Sequence, residues 1–504
     1  MTKSRKFSVL GAFVAVIAVL ALLVAVNLNA PTESANAAEP GQVTPTDSPL
    51  TAEPARVAEI RVEIDEPIQA ATTKDQAATE AATEAPAVAP CTDLITSATK
   101  PIEAAVTLID SAGKKTKTTA YLTVRTDVGP VVGAKRPYVL TLEKSAKLLG
   151  MPKSTEWSLL GGFSDRSLLR TITAMELANR IGFDWAPRLT PATVEINGTP
   201  CGLYAFGESL TDEKDRLDLA AGDTRLVADS GDRADLAFRT TRDLQVYAPG
   251  QSKVEIADTK ARFQKVEDVL YGPRFPDNNY RDSIDVDSFI DWYLVNELTK
   301  NLGSPFKDSV EMTLKADGTL AMGAPWNFDA SQGNRRYGSW GLDNPKGWWL
   351  QRYWYDISDD PAWRQAFSPT QMWDQRKGHY YNVLMSDPEF ASEVSKRWAE
   401  VSGSVGEIDD FINETAEPLG SAARDNFSPR EVDGAALPLT ASFLEQDPNI
   451  FVFANTDPNI EPKTGWLNEV ALMRNWLSER IAWFNRQFTE QLAQSKTQAE
   501  AEKD

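Results

Sequence analysis

The stretch Trp326-Asn327-Phe328-Asp329 follows, after Ala324-Pro325, the run Thr319-Leu-Ala-Met-Gly, which reads as a short strand. An amide and a carboxylate two residues apart at a strand's exit can face one point and supply oxygen ligands to a hard cation such as Mg²⁺ or Mn²⁺. Read without a metal, the same spacing makes a turn in which Asp329 caps the next segment. Little else in the chain competes for metal chemistry. His379 is the single histidine, which excludes a two-imidazole zinc helix. Cys91 and Cys201 are the only cysteines, too few for a four-thiolate site. With 72 acidic against 52 basic side chains, a net charge of −20, the chain lacks the basic face that nucleic acid requires.

The elements that would position this pair are legible in outline. Residues 105–110, 119–125 and 137–142 alternate like strands of antiparallel hairpins. Asn197-Gly198 lies between two further strand-like runs, and Asn-Gly is the strongest short hairpin signal. Between them Leu168 to Ile181 reads as a helix, with a cap signal in Ser164-Asp-Arg-Ser and Gly182 as its stop. Residues 91–215 are therefore expected to form a small β-rich lobe. The larger lobe, 216–490, is expected to be mostly helical. Asp285 to Thr299 puts Phe289, Ile290, Tyr293, Leu294 and Leu298 on one face, two short strands flank Asp317-Gly318, and helices follow at 387–401, 406–422 and 466–488. The Asp/Arg-rich stretch 212–243 reads as solvated surface, and 491–504 as a disordered tail.

The amino-terminal part has a different composition. Phe7 to Val26 contains no charged residue and follows Lys3, Arg5 and Lys6, which marks residues 1–30 as an export signal or a single membrane anchor. Ala35-Asn36-Ala37 offers a small-x-small cleavage site. The body is therefore expected outside the cytoplasm, tethered to the membrane or released after cleavage near Ala37. Residues 31–90 hold 31 Ala, Pro or Thr and no aromatic residue, a composition expected to stay a disordered linker. Within it Val57 to Ile68 alternates like a strand, with a transient pairing or a solvated linker as the two readings. An even cysteine count in an exported chain suggests a disulfide between Cys91 and Cys201, two free thiols being the alternative.

Several separate segments together resemble one family. Glu156-Trp-Ser-Leu-Leu, Ser164-Asp-Arg-Ser-Leu-Leu-Arg170, Asn197-Gly, Gly202-Leu-Tyr, Glu208, Asn296-Glu-Leu, Asn301, Trp326-Asn-Phe-Asp329 and Gly333-Asn334 occur in the order and spacing of the spore-coat-protein-H (CotH) kinases. Arg397-Trp398, Arg474-Asn-Trp-Leu and Arg480-Ile-Ala-Trp extend the likeness toward residue 487. The resemblance implies an α+β, atypical two-lobed protein-kinase-like fold. It also implies an enzyme that uses ATP and Mg²⁺ or Mn²⁺ to phosphorylate Ser or Thr of secreted or surface proteins.

Residue by residue, the resemblance makes Asp329 the metal-binding aspartate, with Asn327 beside it. Lys135, or Arg136 in exchange with it, would contact the α- and β-phosphates. Glu208 would end the strand that approaches the adenine. Asn301 and Ser309 fall in the loop where a second metal ligand is expected. Two departures stand out. Where the family usually has an Asp shortly after the Asn of the catalytic loop, this chain has Gly303, with Asp308 five residues further on as the candidate base. The family's common Trp-Asp-Phe-Asp is Trp-Asn-Phe-Asp here, one charge fewer beside the cation. The competing readings are a non-catalytic kinase-fold scaffold of the envelope, and a wall-polysaccharide binder using the Trp340, Trp348, Trp349, Tyr353, Trp354, Tyr355 and Trp363 cluster.

Overall fold

The computed structural model describes residues 56–65, 101–125, 137–162, 165–229, 237–306, 309–335, 341–350, 380–427 and 462–501. Seven strands close into a barrel: β1 (Ala58–Ile64), β2 (Ile102–Ile109), β3 (Lys115–Val124), β4 (Tyr138–Ala146), β5 (Ser154–Leu160), β6 (Leu189–Ile196) and β7 (Thr199–Glu208), in the order β1-β2-β3-β4-β5-β7-β6. Alternate residues of each strand fill the interior, among them Ile60, Val62, Val106, Leu122, Leu140 and Val194. Trp157 stacks on Phe206 there with ring centroids 5.6 Å apart.

The closing strand corrects the expected tether. β1 lies inside the 31–90 segment, yet it pairs antiparallel with β2 and parallel with β6, burying Ile60, Val62 and Ile64. Its four inward apolar residues are diluted by the Ala/Pro/Thr-rich flanks, so composition averaged over the segment hides it. The Asn197-Gly198 turn, with φ of 48° and 76°, makes the β6–β7 hairpin and also holds β1. Asn197 Oδ1 accepts from the Ile64 N–H at 2.8 Å, and its Nδ2 donates to the Ile64 carbonyl at 3.0 Å. Cys201 on β7 is disulfide-bonded; the other cysteine, Cys91, lies outside the described residues.

The carboxy-terminal part is helical around a second sheet. Helix α1 (Arg170–Ile181) ends at Gly182, whose φ of 104° is the left-handed stop that the sequence predicts. A five-stranded sheet runs β12-β11-β8-β10-β9, with β8 (Thr224–Ala228), β9 (Phe238–Arg239), β10 (Gln245–Tyr247), β11 (Val310–Leu314) and β12 (Leu320–Met322). Three of these strands come from the segment expected to be surface or its continuation, because Leu226, Ala228, Phe238 and Val246 turn inward between charged neighbours. Arg225 on β8 pairs bidentately with Glu311 on β11, both bonds 2.8 Å.

Helices α2 (Lys253–Leu270), α3 (Val286–Thr299), α4 (Tyr380–Leu384), α5 (Pro388–Gly406), α6 (Ile408–Ala416), α7 (Gly420–Phe427) and α8 (Pro462–Ala501) complete the body. Asp285 caps α3 by accepting from the Ser288 N–H. Arg397 on α5 donates to Asp291 on α3 and to the Ile181 carbonyl at the end of α1, so three helices meet at one guanidinium. The expected tail is also corrected: α8 continues through 491–501, a stretch free of Gly and Pro and rich in helix formers, and Gln491 accepts from Ser395 on α5 at 3.0 Å. No helix among the described residues is long and apolar enough to cross a membrane; residues 7–26 lie outside them.

Candidate active site

The amino end of α1 is the platform on which the Trp326–Asp329 segment rests. Leu169, at the cap position, makes no side-chain cap, and Asp165 does that work instead. Its Oδ2 accepts from the Arg170 N–H at 2.8 Å, and its Oδ1 accepts from the backbone and hydroxyl of Ser167. Arg170 is fully buried and ion-paired to Asp165. Its Nε donates to the Ser331 carbonyl at 3.1 Å, while Gln332 Nε2 returns a bond to the Arg170 carbonyl at 2.7 Å. The next residue, Thr171, donates its hydroxyl to Asp329 Oδ1 at 2.8 Å. Thus Asp165 and Arg170 together clamp the loop after Asp329.

The loop is pinned from inside as well. Phe328 is buried against Ala174 and Met175 of α1, leaving Asn327 and Asp329 on either side of it partly exposed. Asn327 has a φ of 59°, a left-handed conformation that Asn tolerates better than most residues. Trp326 is buried beneath Arg125, whose guanidinium lies 4.6 Å from the ring centroid and also donates to Ser158 at 2.7 Å. Asn334 Nδ2 donates to the Asp329 carbonyl at 2.7 Å and closes the turn.

A second loop, after α3, lies alongside. The Leu302 N–H donates to the Ala330 carbonyl at 2.9 Å and the Gln332 N–H to the Thr299 carbonyl at 2.7 Å, so the Asn301 and Asp329 loops run side by side. Beneath them Glu297 and Arg480 form a fully buried pair, Nη2 to Oε1 2.8 Å. Burial pushes the Arg480 guanidinium down to about 10 and the Glu297 carboxyl up, against the pull of each on the other. Glu297 also accepts from the Trp349 and Leu350 N–H groups, and Trp349 Nε1 donates to the Asn301 carbonyl at 2.8 Å.

The residues singled out by sequence fall into three groups. Asp329 and Asn327 are both partly exposed on one loop, with Asn301 on the adjacent loop. Asn301 itself is buried: its Nδ2 donates to Asn296 Oδ1 at 3.3 Å and its Oδ1 accepts from the Gly303 N–H at 3.1 Å, so its amide shapes the loop. Ser309 is buried, with a φ of 53°. Glu208 is fully buried, its Oε2 accepting from Arg188 N and Nε, with Arg216 3.6 Å from Oε1. That carboxylate ties the end of β7 to the residue before β6 and, through Arg216, to the following loop, and is turned away from solvent. Lys135, Arg136, Asp308 and Cys91 lie outside the described residues.

The sequence placed the helix cap within Ser164-Asp-Arg-Ser without singling out Asp165, and it missed the rest of the supporting set: Arg170 as clamp, Thr171 as the partner of Asp329, Arg125 over Trp326, and the Glu297–Arg480 pair. Asp165, Arg170, Glu297 and Arg480 stand inside the quoted motifs, and that was the available signal; nothing in the sequence marks Thr171 or Arg125. Of the aromatic cluster, Trp349 is buried and Trp348 packs edge-on against Trp483 and Phe488 of α8, so these two rings serve packing.

Among the described residues no three His, Cys, Asp or Glu side chains gather closely enough to hold a metal unaided. One carboxylate with one neighbouring amide is nonetheless a donor set that suits Mg²⁺ or Mn²⁺, which keep several waters and take further oxygens from substrate phosphates. A search of curated proteins finds no match to the chain. Residues 133–484, from just before β4 to within α8 and well over half of the chain, match the CotH kinase proteins, and the chain belongs to that family.

Proposed function

We propose that the protein is a metal-dependent phosphotransferase that moves the γ-phosphate of ATP to Ser or Thr hydroxyls of exported or envelope proteins. The observation that carries this reading is the pairing of the Asp329 loop with the Asn301 loop on the α1 platform. It sets the Asp329 carboxylate, which would bind the cation, beside the loop that would meet the acceptor. Family membership supports a kinase-like activity. Phosphoryl transfer asks the protein chiefly to position groups and to offset charge.

In this reading Asp329 and Asn327 hold the cation, and Mg²⁺ or Mn²⁺ when bound neutralises charge on the phosphate oxygens. Lys135 or Arg136 meets the phosphates nearer the nucleoside. The buried Asn301 amide keeps its loop in shape for the incoming hydroxyl, and Asp308 takes that hydroxyl's proton. The export signal read in residues 7–26 places this chemistry outside the cytoplasm, on secreted or surface proteins.

Asp329→Ala tests the proposal. It should leave folding intact, abolish the rise in melting temperature that ATP with Mn²⁺ gives the wild type, and abolish transfer of labelled γ-phosphate to a protein acceptor. Wild-type protein that shows neither stabilisation nor transfer sinks the reading. Gly303 favours a second one. It stands where the family usually carries an Asp, so position 303, one residue from the Leu302–Ala330 contact, offers no carboxylate. A scaffold that binds nucleotide without transferring phosphate would show the thermal shift and no labelled product.

A further inference from the structure

We propose that Thr171 is a positioning residue for the Asp329 carboxylate, holding it in the orientation that a divalent cation needs; the inference rests on the reading of Asp329 as the cation ligand. Thr171 is 6 % exposed and donates its hydroxyl to Asp329 Oδ1 at 2.8 Å. An ionised carboxylate only accepts hydrogen bonds, so the proton in this bond belongs to threonine, and the bond is of the stronger, charge-assisted kind.

Three features make this hydroxyl a rigid support. Thr171 is β-branched and sits in the first turn of α1, where few rotamers are allowed. The helix start beneath it is fixed by the Asp165 cap and by Arg170, which also grips the Ser331 carbonyl. Phe328, one residue before the carboxylate, is plugged between Ala174 and Met175 of the same helix. Backbone and side chain of Asp329 are therefore both referenced to one element. Mg²⁺ and Mn²⁺ favour octahedral oxygen geometry, so a carboxylate free to rotate binds them more weakly.

The test is Mn²⁺ binding to the full chain, with no nucleotide or acceptor, read by the loss of the free-ion electron paramagnetic resonance signal. Thr171→Val removes the donor and keeps the shape; it should weaken Mn²⁺ binding by about 10-fold or more, as loss of an outer hydrogen bond to a metal ligand does. Thr171→Ser keeps the donor and should bind Mn²⁺ nearly as the wild type does, a rescue that a purely packing role would not produce. Where Val at this position prevents folding by circular dichroism, Thr171→Ala carries the same expectation. Wild-type affinity in the Val or Ala variant, alongside lost binding in Asp329→Ala, overturns the role of Thr171 and spares that of Asp329. Unchanged binding in Asp329→Ala overturns both.

Discussion

Replacing Arg480 by Met tests whether the floor under the two loops depends on one buried ion pair. Arg480 and Glu297 are both 0 % exposed at the side chain. The guanidinium donates to Glu297 Oε1 at 2.8 Å and to the carbonyls of Glu297, Leu298, Pro345 and Gly347 at 2.7, 3.3, 2.9 and 2.6 Å. With its pKa near 10, Arg480 is charged at neutral pH. Met replaces much of the volume but none of the donors. It leaves the Glu297 carboxylate with the Trp349 and Leu350 N–H groups as donors and the Lys300 charge nearby, and takes one donor from each of the four carbonyls. Removing one partner of a buried pair costs about 3–5 kcal/mol. At about 1–2 °C per kcal/mol for a body of this size, a loss of about 4 kcal/mol lowers Tm by about 4–8 °C. Calorimetry on Arg480→Met, Glu297→Gln and the double variant measures this. The double variant should lose less than the two single losses combined, by about 1 kcal/mol or more. A single Arg480 variant within about 0.5 kcal/mol of wild type, the range of an ordinary surface change, would refute the reasoning.

Two further outcomes follow from the structure. Glu267 is buried; desolvation raises its carboxyl above the ordinary 4.5, against hydrogen bonds from Tyr380, Thr240 and Gln264. A raised folded-state pKa means that its contribution to stability is full below about 4.5 and is lost as pH rises through the folded value. Glu267→Gln should therefore gain Tm relative to wild type on going from pH 4.5 to 7.5, and a difference constant across that range would count against the assignment. Gly303→Asp should speed phosphate transfer by about 10-fold or more without changing Mn²⁺ affinity, given that a positioned general base supplies about 10²–10⁴-fold. An unchanged rate would place the base elsewhere.

The parts of this fold that could be read in advance are those decided by chemistry within a few residues. Asn197-Gly198, Gly182, Gly318 and the Asp285 cap each specify a backbone conformation locally, and each element bounded by them stands where it was expected. The parts that could not be read are decided across the chain. β1 pairs with β2 and β6, where its partners such as Leu108 and Val194 lie far along the sequence, and β8 pairs with β10 and β11. The site divides in the same way. Trp326-Asn-Phe-Asp329 is a local pattern and was legible, but its support comes from Thr171, 158 positions earlier, and from Arg125 over the indole.

This division bears on the departure at position 327. A left-handed φ of 59° is a conformation that Asn and Asp share, so the exchange of the family's carboxylate for an amide keeps the backbone path that presents Asp329. What changes is one charge and one strong acceptor beside the cation, while the carboxylate that Thr171 and Phe328 hold in place is retained. Under the proposed function, Asn327 would set how tightly the cation is held and Gly303 how fast phosphate is transferred, so Gly303→Asp is expected to raise the rate and leave the affinity as it is.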